Sequence, residues 1–378
     1  MLNSNILYIT NVDWFFLSHW KGSAKYAQTH LGNITVASED TGCSSQIEAD
    51  GFLFFKLPRV RGGGFVSSMI LAWSILRAIL FVKPKLVHLV TVKPLIIGGL
   101  ILRFFPNLKV VSYVSGLGYL FTKDSIKHEV ARIIVRPLYR LALGHNQQTV
   151  IFENHDDQSI ICKYADIPIT RTVIVNGSGV DIDLYCPPVI EPNPLVVMMA
   201  ARLLRDKGVF EFLHAAERLA TIYRESDICV KFVIVGSIDI DNPASLDLEE
   251  ISFWKSRNFV EFWGHMSNMH DVLKLSSVVV LPSYREGFPR VLMEAAACGR
   301  PVVATNVPGC RDTVVAGYSG LLVPAQDVIS LASAINKLVS DSAARIKFGS
   351  NARQHALNNF DIKFTAKRIL DVYTNLLA

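Results

Sequence analysis

The sequence predicts an α/β protein of two parallel-sheet domains, and three observations carry that expectation. Short apolar runs alternate with helical stretches along the whole chain, the pattern of strands returned to one sheet through helices. The 378 residues exceed one ordinary core and divide into two domains of about 150 to 200 residues each. Between the two series of strands, the ten residues from Tyr185 to Pro194 carry four prolines. Proline donates no backbone hydrogen bond and holds its predecessor extended, so that segment reads as a linker.

In the first half the strand runs are residues 6–10, 34–37, 86–90, 109–114, 149–152 and 172–175. In the second half they are 195–200, 231–235, 260–263, 278–281, 301–305 and 320–323. The expected domains are therefore 1–184 and 195–360, joined by the linker 185–194. A last helix over 361–378, with Ile369, Leu370, Tyr373 and Leu377 on one face, is expected to pack back toward the first domain. Residues 65–82 and 86–105 are each close in length to a membrane span of about 20 residues. Trp73, Ser74 and Arg77 interrupt the first, and Lys93, Pro94 and a glycine pair interrupt the second, which favours core elements. A peripheral membrane contact stays open, because Arg59, Arg61, Arg77, Lys83 and Lys85 bracket the first segment.

Half of the residues are hydrophobic and 19% are charged, which supplies two cores and excludes a disordered chain. The six cysteines form no CxxC pair and no zinc-finger spacing, as free thiols of a reducing compartment would. The start lacks the basic region and cleavage site of a signal peptide, which places the protein in the cytoplasm. Residues 1–184 hold 18 Lys and Arg against 13 Asp and Glu, whereas residues 185–378 hold 20 of each. The excess points to an anionic partner for the first domain.

The strongest motif runs from Pro282 to Pro301. A strand ends at Leu281, a loop carries Glu286 and Gly287, and a helix follows from about Pro289. Glycine lets a ligand approach the backbone, and the open amides at a helix start suit a diphosphate. Glu286 and Glu294 then flank one crevice at two heights. Upstream, Arg202 and Lys207 follow another strand end, where two cations can neutralise a departing diphosphate; Arg205 competes for that role. Gly236 ends a strand in the manner of a nucleotide site, as do Gly264, His265 and Met266. Two literal D-x-D matches, Asp181/Asp183 and Asp239/Asp241, could in principle hold a divalent cation; both read as chance, and no metal is expected.

The 282–301 segment resembles the E-x7-E signature of family 4 of the glycosyltransferases, through Glu286, Gly287, Phe288, Glu294, Ala295, Gly299 and Pro301. The resemblance implies the GT-B fold: two Rossmann-like, doubly wound parallel-sheet domains facing a central cleft. It implies a retaining, metal-independent transfer of a hexosyl or acetamidohexosyl group from a nucleotide diphosphate, with a UDP-sugar as donor substrate and no cofactor. By that likeness Glu286 meets the donor sugar and Glu294 the ribose. The amides of Gly287, Phe288 and Pro289's helix meet the diphosphate, with Arg202 and Lys207, and the backbone of His265 and Met266 reads the base beside Gly236. The first half resembles bacterial enzymes that extend sugars on polyprenyl-diphosphate carriers, through residues 13–19, 92–94, 115–119 and Glu153-Asn154. That implies a lipid-linked saccharide acceptor near Ser18, Lys93, Ser115, Gly116, Gly118 and Asn154, at the inner face of the cell membrane, with no nucleic acid involved. Relatives carry a histidine at the end of the fourth strand, where this chain has Ser115 and Gly116; His19 is the candidate to replace it. A nucleotide-sugar epimerase of the same architecture and a non-catalytic membrane scaffold are the alternatives; a scaffold needs no diphosphate clamp.

Overall fold

The computed structural model describes residues 5–59, 64–117, 126–240 and 242–378. The chain divides into two compact units, Met1–Gly179 with Ile362–Ala378, and Val180–Asp361. Among the described residues the first holds seven parallel strands: β1 (Ile6–Val12), β2 (Ile34–Glu39), β3 (Leu53–Leu57), β4 (Leu86–Val90), β5 (Lys109–Val114), β6 (Gln148–Phe152) and β7 (Thr172–Ile174), in the order β3-β2-β1-β4-β5-β6-β7. The second holds six: β8 (Leu195–Ala200), β9 (Val230–Val235), β10 (Glu261–Gly264), β11 (Val278–Leu281), β12 (Val302–Thr305) and β13 (Gly320–Val323), in the order β10-β9-β8-β11-β12-β13. Twelve of the thirteen strands fall on the runs expected from sequence. The one missed, β3, is an edge strand with Leu53 60% exposed and Lys56 within it, so it lacks the apolar run that marks a strand buried on both faces.

Alternate residues of β1 serve opposite faces of the first sheet. Leu7 and Ile9 join a core with Leu71, Ile75 and Ile79 of the helix Phe65–Val82, while Ile6 and Tyr8 join one with the helices Lys21–Leu31 and Ile362–Leu377. The C-terminal helix thus belongs to the first unit. The proline-rich segment read as a linker packs inside the second unit instead: Tyr185 lies in its core, and Glu191 forms a two-pronged ion pair with Arg300 at 2.9 Å. The chain crosses between units at Gly179/Val180 and Asp361/Ile362.

The C-terminal helix is tied down by a buried polar cluster. The Tyr373 hydroxyl lies 2.5 Å from that of Tyr8 and 2.5 Å from His88 Nδ1, and all three residues are fully buried. Burial depresses the His88 pKa to about 3, so the ring stays neutral. The unfolded chain takes up this proton below about pH 6.5, so the stability that His88 contributes is complete above that pH and lost as pH falls toward 3. Between pH 7.5 and 5 the loss amounts to about 2 kcal/mol. Urea unfolding at pH 7.5, 6 and 5 should show that slope in the wild type and a flatter one in His88→Gln. Equal slopes would remove His88 as the cause.

Candidate active site

In each sheet the strand order reverses beside the first strand, between β1 and β4 and between β8 and β11. The carboxyl ends of strands at such a reversal leave a crevice that open α/β sheets use for ligands. In the second unit, β8 runs out at Ala200 into a loop, a 3-10 turn (Arg205–Lys207) and the helix Val209–Tyr223. Strand β11 runs out at Leu281 into the loop bearing Glu286 and the helix Arg290–Ala297. The Tyr284 amide donates to the Asp206 carbonyl at 2.9 Å, which fastens one loop to the other.

That junction brings Lys207 and Glu286 together, with Nζ 2.6 Å from Oε1 and only 19% and 12% of their side chains exposed. Ser283, itself fully buried, donates to the same Oε1 at 2.7 Å. Sequence reading singled out both charges and missed Ser283, whose signal was its position three residues before Glu286. The second carboxylate, Glu294, is 5% exposed and takes Arg290 Nε at 2.6 Å, an i,i+4 pair on the same helix. The Tyr185 hydroxyl also bonds to this pair, and burial followed by the Glu294 charge pushes its pKa well up. Burial works against the Arg290 charge, yet Glu294 and Tyr185 outweigh it and raise that pKa. Arg290 and Tyr185 are further residues that sequence reading passed over.

A cavity of about 230 Å³ opens beside these groups, lined in part by Arg202, Gly236, His265, Met266 and Glu294. Five of the residues expected around the donor are therefore gathered at one place. Gly236 makes the gathering possible: its φ is +147°, and a Cβ there would stand 1.9 Å from the Ala201 carbonyl oxygen. Arg202 stands at the rim, 58% exposed and paired with Asp239 at 2.8 Å; Arg205 is engaged by Glu250 at 2.8 Å. The Phe288 ring lies in the core against Phe360, so only its backbone can face a ligand, and Pro289 precedes a helix with no side-chain cap. Its first turn thus keeps the positive end of the helix dipole directed at the crevice.

In the two D-x-D matches the described carboxylates of Asp181 and Asp239 are engaged within the protein. Asp181 Oδ1 closes a turn by accepting from the amides of Asp183 and Leu184, and Asp239 faces Arg202; Asp241 lies outside the described residues. Among the described residues no cluster of three or more His, Cys, Asp and Glu is arranged to hold a metal ion.

In the first unit the expected acceptor residues also fall at strand ends. Ser18 and His19 close the helix Asp13–His19 after β1, Lys93 follows β4, Ser115 and Gly116 follow β5, and Asn154 follows β6. Gly118 lies outside the described residues. His19 stacks on Phe15 with centroids 4.2 Å apart and lies 2.7 Å, Nδ1 to Oγ, from Ser18. Asn154 is 1% exposed, and its side chain caps the helix His155–Ala165 by accepting from the Asp157 amide at 2.7 Å. Asp13 is fully buried and accepts from the amides of Trp14, Thr41 and Cys43, each at 2.8 Å, which pins a neighbouring loop to this edge. Thr91, directly after β4, holds a φ of +70°, a conformation that costs a β-branched residue energy and often marks a working site.

The comparisons with known proteins bear on both units. The model for glycosyl transferases group 1 matches residues 187–355, and that for glycosyl transferase 4-like proteins matches residues 5–154. The N,N'-diacetylbacillosaminyl-diphospho-undecaprenol alpha-1,3-N-acetylgalactosaminyltransferase of Campylobacter jejuni is 27% identical over 277 residues, 70% of either chain. The UDP-Gal:alpha-D-GlcNAc-diphosphoundecaprenol alpha-1,3-galactosyltransferase of Escherichia coli is 24% identical over 357 residues, 91% of this chain and 89% of that one. Among solved structures, Anabaena HepE in complex with UDP and glucose superposes with a TM-score of 0.76 at 20% identity, over 98% of this chain and 99% of the other. Sucrose-phosphate synthase from Thermosynechococcus elongatus does so with a TM-score of 0.79 at 20% identity, over 99% of each. With both units matched and the two-sheet architecture shared, the chain belongs to the family 4 glycosyltransferases and has the GT-B fold.

Proposed function

We propose that this glycosyltransferase moves a sugar from a UDP-sugar to a hydroxyl of a lipid-linked saccharide, with retained anomeric configuration, in the assembly of a bacterial surface glycan. The observation that carries the reading is the Lys207–Glu286 pair at the β8/β11 reversal, together with a cavity lined by Arg202 and Glu294 from the same two strand-end segments. Glu294, held by Arg290 and Tyr185, is oriented to accept from a ribose diol. Arg202, Lys207 and the uncapped start of the helix Arg290–Ala297 supply positive potential for the diphosphate as it leaves. Glu286 accepts from a sugar hydroxyl while Ser283 fixes its carboxylate. The acceptor hydroxyl attacks from the side of the leaving group, and a diphosphate oxygen takes its proton, so no separate base and no metal is required. The lipid-linked acceptor is supported by the names of the two bacterial relatives and by the basic first half. Such an acceptor places the reaction at the cytoplasmic face of a membrane.

Incubation with labelled UDP-sugars and undecaprenyl-diphosphate-linked saccharides tests the reading, with the product anomer assigned by NMR. An inverted anomer would overturn the retaining mechanism, and epimerised donor without transfer would favour an epimerase. Replacing Glu286 with Gln should mainly lower kcat, because the lost charge strengthens a bond near the reacting carbon. Glu294→Gln should mainly raise the donor KM, since ribose is held equally in the ground and transition states. Wild-type turnover in both variants would sink the site.

Loss of Lys207 or Arg202 to Ala should slow transfer by about 10²-fold or more, the usual cost of removing one preorganised charge stabiliser. Activity should persist in EDTA. Abolition by EDTA with recovery on adding manganese would instead assign the diphosphate to a metal ion.

A further inference from the structure

One face of the first sheet is covered by three helices in adjacent contact, Phe65–Val82, Val92–Leu102 and Ile126–Ala142. The middle one is drawn in tightly: a Cβ on Gly99 would stand 2.4 Å from the Ala142 carbonyl oxygen. The outer two carry apolar side chains on both sides. In Phe65–Val82 the inner stripe of Leu71, Ile75, Ala78 and Ile79 packs on the sheet, yet only 22% of the helix is buried. By length and composition that helix could cross a membrane, but here its inner stripe is part of the sheet's core. Its outer stripe runs through Val66, Met69 and Trp73 at steps of three and four, and beyond the exposed Arg77 continues at Leu80, with Trp73 63% exposed. The helix Ile126–Ala142 repeats the arrangement with Val130, Ile133, Ile134 and Leu138, where Ile133 is 72% exposed. Single exposed apolar residues are ordinary, but two neighbouring stripes of them mark a docking surface.

Charge identifies the occupant. Residues 51–152 contain fourteen Lys and Arg and, as acids, only Asp124 and Glu129, although the chain as a whole holds 38 and 33. Neither Phe65–Val82 nor Val92–Leu102 contains an acid. On the third helix Arg132, Arg136 and Arg140 stand at i, i+4 and i+8 beside the apolar stripe. Arg136 and Arg140 reach Asp166 at 3.5 and 3.2 Å while staying 51% and 67% exposed. Of the four cations singled out from sequence, the three described ones form no single patch. The helix Phe65–Val82 is about 27 Å long, which puts Arg59 and Lys83/Lys85 at opposite ends; Arg59 is tied to Glu39 at 3.1 Å, and Arg61 lies outside the described residues. Apolar stripes edged by cations, with Asp166 as the acid that Arg136 and Arg140 reach, match an anionic lipid surface. A second copy would set one basic face against another.

We propose that this helical layer is the surface on which the protein lies against an anionic bilayer, with the outer stripes of Phe65–Val82 and Ile126–Ala142 entering the headgroup boundary and Arg132, Arg136 and Arg140 meeting lipid phosphates. The proposal takes its purpose from the lipid-linked acceptor, on which reading it rests, but its test needs no sugar. Flotation of the full chain with phosphatidylcholine vesicles, and with vesicles of equal parts phosphatidylcholine and phosphatidylglycerol, reads it directly. Wild type should float with the anionic vesicles and far less with the neutral ones, and high salt should weaken the binding. Met69→Glu/Trp73→Glu and Ile133→Glu/Ile134→Glu should each reduce bound protein about tenfold. All four positions are exposed, and an unchanged thermal melt verifies that the variants fold. The Arg132/Arg136/Arg140→Gln variant should lose the preference for anionic lipid. Brominated lipid should quench wild-type fluorescence and lose part of that quenching in Trp73→Phe. Wild type left in the soluble fraction with anionic vesicles at low salt overturns the proposal, as does undiminished flotation of both Glu pairs. Sedimentation showing a dimer that the Glu pairs dissolve, without vesicle binding, assigns the face to a second copy. Vesicle binding without transfer to any lipid-linked saccharide keeps this surface and overturns the acceptor reading.

Discussion

Everything functional in this chain follows from covering both faces of a parallel sheet. Parallel strands need crossover connections, the crossovers are helices, and the helices bury β4 (LVHLV), β8 (LVVMMA) and β11 (VVVL) from both sides. Each strand then discharges its chain at the same edge of the sheet. Where the winding reverses, two successive strand ends diverge and leave the crevice that no helix fills. The loops after β8 and β11 meet there although some eighty residues separate Arg202 from Glu286.

Within that crevice the ionised groups are held by one another before any ligand arrives. Lys207 and Glu286 are mostly buried and mutually paired, with Ser283 fixing the carboxylate; Glu294 is buried with Arg290 and Tyr185. Removing a charge from water is costly unless a partner and further hydrogen bonds compensate. Such pairing also limits side-chain motion, so on the proposed reading a diphosphate and its sugar would meet groups already in position. The geometry therefore costs little reorganisation at the reacting step.

The same covering rule explains why the helical layer over the first sheet is unusual. A sheet-covering helix needs only one apolar stripe, and in Phe65–Val82 that need is met by Leu71, Ile75, Ala78 and Ile79. The exposed apolar residues Val66, Met69, Trp73 and Leu80 on that helix, and Val130, Ile133, Ile134 and Leu138 on Ile126–Ala142, lie outside the core and leave solvent against hydrocarbon. Their presence, with acids nearly absent over the surrounding hundred residues, is not required by the packing of the sheet.

Local chemistry was legible in the sequence: twelve strands from their apolar runs, the turn at Gly287, the carboxylates Glu286 and Glu294, and the cations Arg202 and Lys207. Each depends on neighbours within a few residues, and the family signature is likewise a local string. Three things depend on contacts between distant segments, which a linear pattern does not record. Strand β3 is held by its partner β2 and not by its own composition. Tyr185 and Glu191 are drawn into the second unit by Glu294 and Arg300, more than a hundred residues away, although their prolines read as a linker. The basic and apolar surface joins Ile126–Ala142 to Phe65–Val82 across an intervening helix, whereas adjacency in sequence had joined Arg59 to Lys83. Sequence determines which residues can hold charge, turn or strand; only the packed sheet, by fixing which strand ends and helix faces lie side by side, decides which of them meet.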